Sequence, residues 1–456
     1  ALGLLARAYA QGAGENLKEV GVSYWQRAKE VAEDLITNGG SYNAVLYNDV
    51  ADVWSDLNNR NNKEALFIAS GPVSGESDSW NYASKSNKLF SYTYCDPNSL
   101  PELVITKNKQ NYFYGRVNNN NFAPSRYLVH CFDASWDKRW ENSFTTAFAN
   151  FSMVQPGWMG YEDNVITLTQ AICTKYGINS AHIGDKIYPY ADVNATAAGY
   201  GGNQYQASVW PEGAHSGNVA SLQATGNVYV NPYPLAEDED RFAIYLSKEP
   251  LSAAEKAARG YYCINIDDLF ASDGRYLKTS ADWLAKQGHN NSGYQLFPSL
   301  SKFNWSHYGM SYGSNLQVKQ GDMFIMRMAE VYLIAAEAEQ QLGNGSKAAT
   351  YLNVLRDRAV REGAAKHDLT SATEQDVLDE YARELCGEFN RWALLKRHHA
   401  FEKVLPKSNP RAAASFNTSI DYYRPISYDF LSQIDNAEEY GDNGYGQTGT
   451  SGLSGF

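Results

Sequence analysis

The chain has 456 residues, and its 39 lysines and arginines against 51 aspartates and glutamates give a formal net charge of −12. This acidic balance argues against a nucleic-acid backbone or an anionic membrane surface as the main partner. Aromatic residues make up 13% of the chain and charged residues only 20%, so its polarity comes largely from uncharged groups. Exposed Tyr, Trp and Asn suit the mixed apolar and polar faces of sugars, although a large extracellular protein can carry them simply to stay folded and soluble.

The first 70 residues predict a helical hairpin. Leu4, Leu5 and Ala8 form one apolar face of its first helix, and Ser23 is the expected N-cap of its second, which should end at Gly39. The chain starts inside a predicted helix, without an initiator Met or a signal-peptide profile, and no run of 18 apolar residues occurs. We expect the natural product to be longer, with any export signal or lipid anchor in a preceding part.

The central residues 71–321 show no sustained 3.6-residue periodicity and are rich in Gly, Asn, Pro and Tyr. This composition predicts a loop-rich insertion. Many loops on a helical base favour a recognition surface. Asp238-Glu239-Asp240 could chelate calcium, but no EF-hand spacing follows and an exposed acidic turn is the preferred interpretation.

The helical pattern returns over residues 322–456. Residues 322–342 predict one helix, with an apolar stripe formed by Ile325, Met328, Ala329, Tyr332 and Ala336. A turn at 343–346 precedes a helix that should end at Gly363, and a capping box at Thr373 and Asp376 should start a third helix that runs through Trp392. The predicted fold is mainly α, with tetratricopeptide-like helical hairpins at both ends (1–70 and 322–456) carrying the insertion (71–321).

The charged residues of the C-terminal helices are interpreted as structural. Glu384 and Glu388 have an i, i+4 spacing that suits a metal or acid–base chemistry, but the adjacent Arg383 and Arg391 favour salt bridges. The other candidate inter-helix ion pairs join Glu330 and Glu337 to Arg356, Arg358 and Arg391.

Sites of catalysis or metal binding are not predicted. No HExxH, GxSxG, Walker or GxGxxG motif has the flanks it needs. His398 and His399 are adjacent and would point about 100° apart on a helix, which is poor for one metal. The five cysteines (Cys95, Cys131, Cys173, Cys263 and Cys386) have no metal-site spacing and are interpreted as buried small hydrophobic residues. We therefore expect no catalytic residue, metal or cofactor.

Several motifs, in order, resemble the SusD/RagB outer-membrane nutrient-binding lipoproteins. Residues 327–338 (RMAEVYLIAAEA) are similar to the family's R-x-A-E-x-Y-L-x-x-A-E-A helix. Residues 351–359 (YLNVLRDRA) and 383–392 (RELCGEFNRW) are similar to the two motifs that follow it, and 424–427 and 443–445 to the closing turns. In the insertion, 124–128 (PSRYL), 132–133 (FD) and 137–140 (DKRW) also have family counterparts. The chain departs from the family at Tyr381, Phe389-Asn390 and Asp442, in structural helices and turns.

The resemblance implies a non-catalytic lipoprotein on the surface of the outer membrane. Such a protein captures an oligosaccharide and delivers it to a TonB-dependent, SusC-like transporter, and it contacts the membrane through a lipid anchor outside this segment. Three alternatives stay open: a peptide-capturing member of the same family, a helical-repeat scaffold for peptides or proteins, and a carbohydrate-active enzyme. Glycoside hydrolysis needs only two carboxylates in an aromatic cleft, which a sequence cannot exclude.

The ligand site is predicted in the insertion, on aromatic residues within polar, Gly- and Asn-rich loops. Such loops offer no apolar periodicity that would bury large rings, so exposed stacking faces are expected there. The alternative for each ring is that it fills a gap over the helices. The predicted ligand-binding residues are Trp80, Asn81, Tyr82, Trp158, Tyr161 and Trp210.

Overall fold

The computed structural model describes residues 1–54, 58–70, 93, 122–145, 147–149, 166–187, 191–192, 242–259, 262–276, 297–302, 310–311, 318–319, 322–388 and 390–446. The helices are α1 (Leu2–Ala13), α2 (Tyr24–Asn38), α3 (Val50–Val53), α4 (Arg126–Cys131), α5 (Arg139–Ser143), α6 (Gln170–Tyr176), α7 (Ala253–Ala257), α8 (Met328–Gln341), α9 (Gly345–Asp357), α10 (Glu374–Glu384), α11 (Arg391–Arg397), α12 (Phe401–Ser408), α13 (Pro410–Ser415), α14 (Tyr428–Leu431) and α15 (Ala437–Tyr440). Short 3₁₀ turns span Gly39–Tyr42, Ser180–His182 and Ile266–Leu269.

The strands are short and form small sheets. They are β1 (Lys18–Glu19), β2 (Val22–Ser23), β3 (Ala65–Ala69), β4 (Phe144–Thr145), β5 (Ala147–Ala149), β6 (Ile166–Thr167), β7 (Lys186–Ile187), β8 (Ala191–Asp192), β9 (Phe242–Ser247), β10 (Tyr262–Asn265), β11 (Ser299–Leu300), β12 (Met310–Ser311), β13 (Val318–Lys319) and β14 (Met323–Arg327). The largest described sheet has the order β10-β9-β5-β8, in which only the β10–β9 pair is parallel. The remaining strands pair in antiparallel twos. Helices therefore dominate, and the predicted mainly α fold with helical hairpins at both ends is confirmed.

The N-terminal hairpin forms as predicted, but α1 packs through a different face. Leu4 and Leu5 are 40% and 42% exposed, and Ala8 is also exposed, so the predicted apolar face of α1 is wrong. The buried face consists of small residues, Gly3, Ala6, Ala10 and Ala13. Small side chains let α1 approach α2 and α8 closely, and that close contact buries more surface than leucines on a wider gap would.

The second helix has the predicted boundaries. The Ser23 hydroxyl accepts a hydrogen bond from Gln26 N at 3.2 Å, and α2 ends at Asn38 before Gly39 starts a 3₁₀ turn. The loop between α1 and α2 contains the β1–β2 hairpin, in which Val20 and Gly21 both have positive φ. Two positive φ angles give the type I′ twist that suits a two-residue hairpin.

The predicted helix over 322–342 is wrong in its first part. Residues 323–327 form β14, which pairs with β3, and Ile325 is an exposed strand residue. Helix α8 starts only at Met328 and is buried along nearly its whole length. It packs against α1, α2, α9 and α10, so it is the central helix of the described body.

The later helices also end earlier than the sequence predicts. Helix α9 stops at Asp357, and Gly363 lies in the turn beyond it with φ +79°. The capping box of Thr373 and Asp376 starts α10 as predicted, but α10 ends at Glu384. Gly387, with φ +75°, turns the chain, so Trp392 lies on the separate helix α11.

Parts of the predicted insertion pack on the C-terminal helices. The α4 tyrosine Tyr127 bonds through its hydroxyl to Asp379 on α10, and the α5 residue Arg139 reaches Glu380 and Glu384 on the same helix. The domain boundaries at 70/71 and 321/322 stay a prediction. Within the described ranges, no helix is both long and apolar enough to cross a membrane.

Four of the five cysteines are described. Cys173, Cys263 and Cys386 are buried, and Cys131 is partly buried. The interpretation of cysteines as small hydrophobic residues is therefore confirmed for the three buried positions. Cys95 lies outside the described residues.

Candidate functional site

The predicted ligand residues Trp80, Asn81, Tyr82, Trp158, Tyr161 and Trp210 all lie outside the described residues, as does the acidic turn at 238–240. The structure does describe the strands to which two of their segments attach. Ala149 ends β5 just before residues 150–165, and it pairs with Phe242, where β9 begins after residues 193–241. The segments carrying Trp158 and Trp210 are thus joined to neighbouring strands of one sheet.

The segment carrying Trp80 attaches elsewhere. It follows β3, whose last residue Ala69 pairs with Met323 of β14, next to the central helix α8. The described strands therefore bring together the attachment points of two predicted ligand segments and not of the third.

The described elements also contain a connected network of buried charges, which we call the ion-pair frame. Six cations face five carboxylates, and each of these side chains is at most 11% exposed. The members are Glu64, Asp137, Arg139, Lys302, Arg327, Arg356, Arg358, Glu380, Arg383, Glu384 and Glu388. The frame ties the ends of β3 and β14 to α5, α9 and α10.

Glu384 is the centre of the ion-pair frame. Its Oε1 accepts hydrogen bonds from Arg327 Nη1 at 2.7 Å and Arg358 Nη2 at 2.6 Å. Its Oε2 accepts one from Arg139 Nη1 at 2.9 Å. Charge-assisted hydrogen bonds of this length are the strong ones in proteins. One carboxylate therefore holds three segments that are distant in sequence.

The cations of the frame keep Glu380 and Glu384 ionised. Burial alone would raise the pKa of Glu380, but the guanidinium groups of Arg139, Arg383 and Arg356 outweigh it and lower the pKa to about 2. Burial likewise opposes ionisation of Glu384, yet its cations hold its pKa well below the ordinary value. These carboxylates are charge partners and not proton donors at neutral pH.

A second buried cluster lies around Glu337 on α8. Arg397 donates to both its carboxylate oxygens at 2.6 Å, and Tyr381 OH donates to Oε2 at 2.7 Å. His398 Nε2 lies 2.8 Å from Oε1, and its Nδ1 lies 3.1 Å from Glu374. Burial lowers the pKa of His398, but its bonds to the two carboxylates raise it overall. His398 thus links Glu337 of α8 to Glu374 of α10.

Ion pairs between elements do form in the described structure, but none is a predicted pair: Glu337 pairs with Arg397, Arg356 with Glu380, and Arg358 with Glu64 and Glu384. Glu330 pairs with Arg7 of α1, and Arg391 makes no ion pair in the described structure but donates from Nη1 to Leu378 O at 2.6 Å. Arg383 pairs with Glu380 rather than with Glu384 or Glu388. Glu64 and Lys302 were not predicted as partners, because neither lies in a stretch with a helical apolar pattern.

No metal site accompanies these charges. Across the ranges that the structure describes, no three His, Cys, Asp or Glu side chains form a group that could hold a metal ion. Each carboxylate of the frame instead faces a guanidinium or an ammonium group.

The ion-pair frame gives a physical role to the motifs noted in the sequence, and the family comparison agrees with them. The profile of the SusD family matches residues 51–440. The chain belongs to the SusD family. Within that family, Arg327 and Glu384 of the quoted motifs are frame residues, as are Asp137 and Arg139 of the motif at 137–140.

Individual relatives are more distant. The SusD-like protein P2 of Formosa agariphila is 31% identical over 137 residues, which are 28% of this chain and 27% of that protein. A SusD homolog from Bacteroides thetaiotaomicron aligns with a TM-score of 0.46 and 16% identity over 94% of this chain and 61% of that one. Surface glycan-binding protein A from the same species gives 0.41 and 16%, over 97% and 64%. The chain thus spans less than two thirds of the length of these relatives.

Proposed function

We propose that this SusD-family chain is a non-catalytic protein of the outer-membrane surface that captures an oligosaccharide and delivers it to a TonB-dependent transporter. The observation that carries the proposal is the family match over residues 51–440. The aromatic, amide-rich composition of the loops supports it, because sugar faces pair with flat rings and amide hydrogen bonds. Capture needs only uniform binding, so no reactive group is required.

The described carboxylates favour binding over hydrolysis. A glycosidase acid must keep its proton near neutral pH, which requires a raised pKa. In the ion-pair frame the pKa values of Glu380, Glu384 and Glu388 are lowered instead. Burial does raise the pKa of Glu141, but the Arg361 guanidinium holds that carboxylate, with Nη2 2.8 Å from Oε2.

Calorimetry of the purified chain against a panel of oligosaccharides and peptides tests the capture step. We expect binding of at least one glycan and no new reducing ends after incubation. Binding of peptides alone would favour the peptide-capturing alternative. Turnover that the Glu141→Gln variant abolishes would overturn the proposal in favour of a carbohydrate-active enzyme.

The ligand site is proposed on Trp80, Asn81, Tyr82, Trp158, Tyr161 and Trp210. Stacking on a sugar face contributes on the order of 1 kcal/mol or more, so Trp80→Ala and Trp158→Ala should each weaken glycan binding by roughly tenfold. Tyr42→Ala is the matched control, because Tyr42 is an exposed ring of the N-terminal hairpin. If both tryptophan variants bind glycan like the control, the site lies elsewhere.

Delivery requires a membrane partner. The full-length protein, expressed with its genomic neighbours, should co-purify from outer membranes with a large β-barrel transporter. Recovery only as a soluble monomer under those conditions would count against the transporter partner and the lipid anchor. Glycan capture would still be tested separately by calorimetry.

A further inference from the structure

A cavity of about 470 Å³ lies between α4 and the helices α10, α11 and α12. This volume falls within the range of roughly 300–1,000 Å³ typical of small-ligand pockets. Most of its wall is apolar or aromatic, with Tyr127, Trp392, Leu395, Phe401 and Leu405 among the lining residues.

The charge of the cavity is unusual for this chain. Of the described residues, no aspartate or glutamate lines it, although acids outnumber bases in the sequence by 51 to 39. The one charged residue in this described lining is Arg391, whose guanidinium lies over the Tyr127 ring at 5.7 Å. The cavity therefore combines an apolar wall with a single positive charge.

The other hydroxyl and amide side chains of the lining already have partners. Ser125 caps α4, Tyr127 bonds to Asp379, and Ser408 donates to Val404 O. Tyr381 donates to Glu337, and Asn390 donates to Glu330. Each of these groups therefore already makes at least one hydrogen bond within the protein.

Arg391 differs from them. Its Nη1 donates to Leu378 O, but its buried Nη2 has no hydrogen-bond partner, and no carboxylate of the described residues forms an ion pair with it. A buried guanidinium nitrogen without a hydrogen-bond partner is unfavourable, and an anionic acceptor on an occupant would relieve it.

We propose that this cavity binds a small organic acid with an apolar body, such as an aromatic or branched aliphatic monocarboxylate. The apolar body fills the space against Trp392, Leu395 and Phe401, and the carboxylate pairs with the Arg391 guanidinium. This site is separate from the proposed glycan site, and its test does not depend on glycan binding.

The test uses two probes of nearly equal shape, 3-phenylpropionate and 3-phenylpropanol, in ligand-observed NMR titrations of the full chain. We expect 3-phenylpropionate to bind with a Kd at or below about 1 mM and about tenfold more tightly than the alcohol. Arg391→Gln should remove that preference while leaving alcohol binding unchanged. Arg411→Gln, which alters an exposed arginine outside the lining, should leave the preference intact.

A second variant keeps the proposal testable if Arg391→Gln fails to fold. Leu405→Trp places a larger side chain at the wall and should abolish binding of both probes. Equal binding of acid and alcohol to the wild-type chain would overturn the proposal, as would unchanged binding to Leu405→Trp. Binding of neither probe would overturn it too. That result is expected if a segment of another protein fills the cavity.

Discussion

Replacing Glu384 by Gln removes the central charge of the ion-pair frame while keeping the shape of the side chain. Breaking a buried ion pair by removing one partner typically costs about 3–5 kcal/mol. Each of the three guanidiniums that Glu384 contacts keeps another carboxylate: Arg139 keeps Asp137 and Glu380, and Arg327 and Arg358 keep Glu64. We therefore expect the lower end, a loss of about 3 kcal/mol.

The measurement is thermal unfolding of the full chain at neutral pH, followed by circular dichroism. A loss of about 3 kcal/mol lowers the Tm of the 456-residue chain by about 3 °C, because an unfolding entropy of about 2.1 cal/mol/K per residue gives about 1 kcal/mol/K for the whole chain. Glu362→Gln is the matched control, because Glu362 is exposed and should change stability by no more than about 0.5 kcal/mol. If Glu384→Gln has the same Tm as the control, Glu384 is either neutral or hydrated in the native protein, and the reasoning from buried charge fails.

Three further predictions concern stability. The pKa values of Glu337 and Glu380 are lowered from 4.5 to about 2, so their contribution to the free energy of unfolding is complete above pH 4.5 and is lost as the pH falls towards 2. Urea titrations across this pH range should therefore show a falling free energy of unfolding. A free energy that does not change with pH would contradict the prediction. Gly387→Ala should destabilise more than Gly363→Ala in calorimetry: both have positive φ, but only at Gly387 would the new methyl lie 2.5 Å from the buried leucine of β11. Thr373→Ala removes the α10 capping box and should cost about 1 kcal/mol in urea unfolding; an unchanged midpoint would mean that the cap is dispensable.

Local signals in the sequence predicted much of the helical body. Ser23 and the capping box at Thr373 place helix starts correctly, because a cap depends on residues only three positions apart. Residues 323–327 show why periodicity alone misleads over short runs. Phe324 and Met326 are buried and Ile325 is exposed, which is a strand alternation, and its partner β3 lies over 250 positions earlier in the chain.

For the charged residues, too, the sequence predicted local features but not contacts between distant segments. Their sequence context indicated that Glu337 and Glu384 are structural acids in ion pairs, since each has arginines nearby. It gave no means of choosing partners, because Arg139 reaches Glu384 across 245 positions and Arg327 reaches Glu64 across 263. Side-chain pairing at such distances is determined by the packed fold and not by spacing along one helix.

The contacts of the frame residues indicate why buried charges, and not apolar residues, join these helices and strands. Apolar replacements of buried ion pairs are often neutral or stabilising, so stability alone does not account for eleven buried charges. Apolar contacts, however, tolerate small shifts of one element along another. Glu384 accepts three guanidinium hydrogen bonds of 2.6–2.9 Å, and a shift of one helical turn would break all of them at once. A carboxylate with three fixed cations therefore specifies one register for β14, α5, α9 and α10.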